Sequence, residues 1–208
     1  MLKKPEIYDQ VEVKDFDFTP LELGGHKGII KIAEEYTSQV SYNTSLKVTV
    51  DTDKNDNQPN YFSEQFKNDT RADKKWNNGA IKYVSLKDDE NCVRMLKAFI
   101  TAVENSNQGF KYDWNKGVEQ LNGKKIGLIF GLEEYQDKDG NTKTSTKLTQ
   151  FRSIDKVDEA KIPKVKLLNG SYIEYKDYSQ PTEQSNPFAG LDDVMVDIDE
   201  NLLDWIGN

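Results

Sequence analysis

This chain of 208 residues contains a single cysteine and a single histidine, and each scarcity removes a class of chemistry. A lone Cys92 allows no internal disulfide, which fits a reducing, cytoplasmic setting. Cys92 lies within an apolar helical pattern and reads as a buried thiol. A lone His26 leaves no two-histidine catalysis and removes most metal sites. It stands in Gly24-Gly25-His26-Lys27-Gly28, a glycine break, and reads as a polar loop residue. No stretch reaches the ~20 apolar residues of a membrane-spanning helix, and the mean hydropathy is −0.80. No apolar segment follows Lys3 and Lys4, so no secretory signal is expected. There is no Gly-x-x-x-x-Gly-Lys-Ser/Thr, no Gly-x-Ser-x-Gly and no His-x-Glu. Asp53-x-Asn55-x-Asn57 with Glu64 mimics a calcium loop, but Gln58 stands where that loop needs glycine. The expectation is a protein that is not an enzyme and uses no cofactor or metal.

What the chain does have is charge of one sign gathered at one end. Residues 177–208 hold eight acids and no lysine or arginine, whereas residues 1–176 hold 28 acids and 28 bases. The acidic end also carries apolar side chains at its tip: Leu202, Leu203, Trp205 and Ile206, among Asp197, Asp199, Glu200 and Asp204. A solubilising tail has no use for a tryptophan and two leucines. Acid plus apolar groups point to a partner protein that reads both. Leu191, Val194, Met195, Ile198, Leu202 and Trp205 also fit one helical face, suited to a groove.

Between these ends, the hydrophobic pattern supports one domain. Alternation predicts strands over 28–36 and 45–51 and a third over 61–67; residues 82–86 are short and only strand-like and are left out of the count. Residues 88–104 read as a helix, with Asp88 or Asp89 as cap and Leu96, Phe99, Ile100 and Val103 as its apolar stripe. Strands over 125–135 and 142–154 flank an Asp-Gly hairpin turn. Three strands, a helix and two strands are the parts of an OB-fold, a small Greek-key barrel that binds oligonucleotides on one face. The expected architecture is therefore mainly β (α+β): an OB-like five-stranded barrel with one helix between the third and fourth strands. The expected divisions are an arm or edge strand over 1–24, a nucleic-acid-binding domain over 25–176, and a disordered acidic tail over 177–208.

Basic residues interleaved with aromatics are the remaining signal. Arg71, Lys74 and Lys75 adjoin Trp76 in a charged loop. Lys143, Lys147 and Arg152 share one hairpin strand with Phe151, and Lys161, Lys164 and Lys166 follow. Tyr36, Tyr42, Tyr61, Phe62 and Tyr83 lie on or near the first strands. Single-stranded nucleic acid is held by this combination, with cations tracking phosphates and rings stacking on bases. About half of these rings are expected in the core instead.

Asp69-Thr-Arg-Ala-Asp-Lys-Lys-Trp76, Phe99-Ile-Thr-Ala-Val-Glu104-Asn-Ser-Asn107 with Gly109-Phe-Lys-Tyr112, and Leu121-x-Gly-Lys-Lys-Ile-Gly-Leu-Ile-Phe-Gly131 resemble a phage family. It comes from replication and recombination gene clusters of phages of low-GC Gram-positive bacteria. Some of its members are described as single-stranded DNA-binding proteins. The resemblance implies an OB-like fold, sequence-independent binding of single-stranded DNA, and residence in the cytoplasm of an infected bacterium. The tail resembles those of bacterial single-stranded DNA-binding proteins, which recruit replication and repair enzymes through an apolar tip. Those end in Pro-Phe; here Pro187-Phe188 is internal and the chain finishes Trp205-Ile-Gly-Asn208. The implied partners are single-stranded DNA and phage or host replication and recombination proteins, with no membrane and with room for a homo-oligomer. The alternative is a protein-interaction adaptor, a recombination mediator or an inhibitor of a host defence enzyme, that holds little DNA.

Overall fold

The computed structural model describes residues 3–10 and 19–178. The alternating part of the N-terminal arm (11–18) and the acidic tail from 179 onward, with all its candidate partner-binding residues, lie outside the described residues. The fold is mainly β, with seven strands and two α-helices among the described residues. No helix there is long and apolar enough to cross a membrane.

Strand β1 (Gly24–Thr37) is the hub. Gly24 to Ile29 pair antiparallel with β4 (Lys125–Gln136), and Gly28 to Thr37 pair antiparallel with β2 (Thr44–Thr52), so Gly28 and Ile29 serve both neighbours. Lys31 is an extra residue between the pairs Ile30↔Val50 and Ile32↔Thr49. Such a bulge bends a strand and lets it serve two sheet halves. Strand β3 (Ile81–Ser85) lies on the far edge of β2, and β5 (Thr142–Arg152) lies along β4. Two short strands, β6 (Val165–Lys166) and β7 (Tyr172–Ile173), extend the sheet beyond β4, joined in parallel at Glu133↔Lys166. The expected five-stranded barrel is thus corrected: the hydrogen-bonded path runs from β3 to β7 with β5 branching off β4, and β3 pairs with neither β5 nor β7, so the sheet does not close.

Inside the curl lie Ile30, Val48, Val50, Val84, Ile126, Leu128, Phe130 and Leu148. Helix α2 (Glu90–Ser106) closes one end. Asp89 caps it by accepting from the Cys92 N–H at 3.0 Å, and Phe99, Ile100 and Val103 face the core as the stripe requires. The expected third strand is instead helix α1 (Tyr61–Asn68). Its first turn is capped from a distance: the Asp51 carboxylate accepts from the N–H groups of Phe62 and Ser63 and from the Ser63 hydroxyl. Short apolar runs carry no reliable period, and this cap, ten residues upstream in sequence, decides for helix.

The glycine break is also corrected, because Gly24, Gly25 and Gly28 sit inside β1. A Cβ on Gly25 would stand 2.0 Å from the Val157 carbonyl oxygen, and one on Gly127 2.4 Å from a Val157 methyl. Both glycines let the segment after β5 lie flat across β1 and β4. His26 is no loop residue. It is buried beside Phe130, with Nδ1 2.8 Å from Asp56 and Nε2 3.0 Å from the Glu22 carbonyl.

Candidate nucleic-acid interface

In β1, β2 and β3, Ala33, Val48 and Val84 point inward, so their neighbours form the opposite, outer face. Register sets these neighbours in three rows: Ile32, Thr49 and Ile81; Glu34, Lys47 and Tyr83; Tyr36, Ser45 and Ser85. The small Ser45 lets Tyr36 and Tyr83 meet diagonally across β2. Their rings are 5.4 Å apart at 56°, and they are 42% and 49% exposed. Lys47 lies beside them and donates to Glu34 at 2.6 Å. That hydrogen bond raises the Lys47 pKa against the opposing effect of burial. Any phosphate at Lys47 therefore competes with a carboxylate already in place.

Beyond Tyr36 the chain turns through Ser38–Asn43. The Ser38 hydroxyl accepts from the N–H groups of Val40 and Ser41, and the Tyr42 N–H donates to the Ser38 carbonyl at 2.9 Å. This rigid turn holds Tyr42 at φ 55° with its ring 81% exposed, beside an exposed Val40. Tyr36 and Tyr42, both expected as binding residues, thus lie at one end of an open face. Tyr83 joins them.

The other expected rings do not. Phe62 is 3% exposed and stacks on Phe130, so it is core. Tyr61 is half-buried, and burial pushes its hydroxyl up to about 12. Trp76 packs against the core and Phe66, and its indole N–H donates to the Val50 carbonyl at 3.2 Å. The ladder between β2 and β3 ends at Thr49↔Ile81. Trp76 therefore satisfies a carbonyl that the sheet leaves unpaired, and it anchors its loop rather than offering a stacking surface. Val50 lies five residues along β2 from Ser45, roughly 16 Å at the usual strand rise, so the 69–76 loop and the tyrosine pair occupy different ends of the sheet.

The expected cations divide in the same way. Arg71 is clamped by Asp69, with Nε at 3.0 Å and Nη2 at 2.7 Å. The Arg71 fork holds the Asp69 carboxyl down at about 2. Lys74 lies over the Phe66 ring at 4.9 Å, and Lys75 is exposed. Lys143 pairs with Asp137 at 3.1 Å, Lys164 with Glu174 at 2.8 Å and Lys166 with Glu133 at 2.5 Å. Lys147 and Arg152 make no ion pair among the described residues. They lie opposite Gly131 and Gly127 on one face of β5, because the irregularity at Thr149 resets the alternation between them. A second ring pair, Tyr112 and the largely exposed Trp114, lies 4.8 Å apart in the loop after α2.

Sequence reasoning gave no role to Glu34, Lys47 or Ser45. The signal existed: Leu46, Val48 and Val50 point inward, which turns Ser45, Lys47 and Thr49 outward together. Neither a family model nor a curated protein matches this chain.

Proposed function

We propose that this chain binds single-stranded DNA without sequence preference, as a phage replication or recombination component, on the outer face of β1, β2 and β3. The observation that carries the reading is the Tyr36–Tyr83 pair, exposed on the outer face of the sheet. Exposed rings in such a place suit bases, each worth ~1–3 kcal/mol and none demanding a particular base. Strand order supports it. In an OB-fold the first strand bonds to both the second and the fourth, a helix separates the third from the fourth, the barrel is partly open, and binding uses the second and third strands with the first loop. Here β1 bonds to β2 and β4, α2 follows β3, and Tyr42 crowns the first loop. Lys147 and Arg152 supply unpaired cations on β5.

The adaptor reading keeps one observation in its favour: most of the expected cations are already held by acids or rings. A titration with fluorescent oligo-dT against duplex, repeated over a range of salt, separates the two. The DNA reading requires preference for the single strand and a salt slope of about −0.7 per phosphate contact. No binding at low salt removes it and leaves the adaptor.

A further inference from the structure

A groove of about 480 Å³ opens where the β1–β2 turn, the end of β3 and the start of α2 meet. Tyr36 and Tyr83 form one wall; Asn43, Ser45, Lys87 and Cys92 line the rest with neighbouring serines and Asp89. We propose, resting on the reading of the tyrosine face as a DNA platform, that this groove is a nucleotide subsite. It takes the nucleotide next to the one stacked on the tyrosines, with its base edge at Asn43 and Ser45 and its phosphate at Lys87.

Three features carry this assignment. The volume lies within the roughly 300–1,000 Å³ typical of small-ligand sites. The side chains of Asn43 and Ser45 make no hydrogen bond among the described residues, and both are neutral groups that donate and accept, as base edges require. Lys87 is exposed and makes no ion pair among the described residues, while its backbone N–H donates to the Ser85 hydroxyl at 3.3 Å and so fixes its position on the rim. The one acid in the lining, Asp89, caps the helix through the Cys92 N–H, and its charge attracts Lys87 from beyond ion-pair distance, so a phosphate there competes with it. Hydrogen bonds from that N–H and the Cys92 thiol hold the Asp89 carboxyl below its usual range.

Cys92 makes the subsite testable, because it is the only thiol in the chain and lies partly exposed on the groove wall rather than fully buried as its helical pattern suggested. The rate at which the full-length protein reacts with a thiol reagent is measured alone, with oligo-dT and with duplex. Oligo-dT filling nine-tenths of the sites slows Cys92 about tenfold by mass action; duplex does not. Lys87→Gln then lowers the salt slope of oligo-dT binding by about 0.7, the share of one contact. Oligo-dT that binds but leaves Cys92 equally reactive overturns the subsite and spares the platform. Failure of oligo-dT to bind at all overturns the platform itself. An unchanged slope in Lys87→Gln removes Lys87 as the phosphate contact.

Discussion

Tyr42 holds a backbone conformation that costs a bulky L-residue about 1–2 kcal/mol, and it spends that strain on displaying an exposed ring. Tyr42→Gly removes the strain while adding the chain entropy of glycine, about 0.5–1 kcal/mol. The net expected change is a small gain in stability in urea unfolding, together with a loss of ~1–3 kcal/mol in oligo-dT binding if the ring stacks. A variant that binds as tightly as the parent would show that the ring is idle. His26 makes the opposite kind of commitment. Both its nitrogens face acceptors, Asp56 and the Glu22 carbonyl, so the ring is held as the cation. Burial opposes that charge, but these partners win and raise the His26 pKa above its ordinary 6.5. Burial likewise opposes ionisation of Asp56, but its hydrogen bond from His26 and those from backbone N–H groups lower its pKa below 3.8. A raised histidine stabilises fully below its unfolded value and loses that contribution as pH climbs through the folded one. A lowered carboxyl stabilises above its unfolded value and loses it as pH falls through the folded one. The pair therefore stabilises most between about pH 4 and 6.5. The melting temperature should fall above that window more steeply than in His26→Gln. Parallel curves would mean that the pair does not govern the alkaline limb.

At the scale of elements, the sequence was legible where a long period met a cap and illegible where a distant group decided. Helix α2 could be read because Asp89 and the Leu96, Phe99, Ile100, Val103 stripe lie within one segment. Strands β4 and β5 could be read because Asp137 and Gly140 mark the turn between alternating runs. Helix α1 could not, since its cap is Asp51 on β2. The tryptophan in the charged loop could not either, because its partner is a carbonyl that the end of β3 leaves open. Of the proposed face, the sequence pattern singled out Tyr36 and Tyr42 as rings, but the Tyr36–Tyr83 meeting depends on strand register, which no local pattern supplies. Two outcomes follow for these elements. Trp76→Ala removes packing and a hydrogen bond, and should cost about 2–3 kcal/mol of stability, somewhat below a fully buried tryptophan. Measured on the folded fraction, its oligo-dT affinity should be that of the parent; a loss of affinity without a loss of stability would return Trp76 to the interface. On β5, Lys147→Gln and Arg152→Gln should each reduce the salt slope by about 0.7 with little change in stability. Slopes identical to the parent's would take β5 out of the DNA path.

For the whole molecule, the decisive quantity is the charge that one part of the chain presents to another. Residues 1–176 are neutral in sum, and among the described residues many cations are already paired, so the attraction for a polyanion is modest and local. Residues 179–208 bring seven acids and no base, covalently tethered to the same body. A tethered anion acts at a high effective concentration, and its attraction to surface cations is screened by salt. It should therefore compete with DNA for Lys147, Arg152 and Lys87. The truncation that tests this ends after Tyr178, whose hydroxyl donates to Glu134 at 3.0 Å and so belongs to the body. Removing 179–208 should tighten oligo-dT binding at low salt and change it little at high salt. Trp205→Ala keeps every charge and should leave DNA affinity as in the parent, while weakening capture of any protein that reads the apolar tip, where a tryptophan is the natural anchor. If the truncated chain binds DNA no more tightly at low salt, the tail does not compete. If it also retains every protein the full chain captures, the tail has neither role, and the acidic end serves only to keep a neutral body in solution.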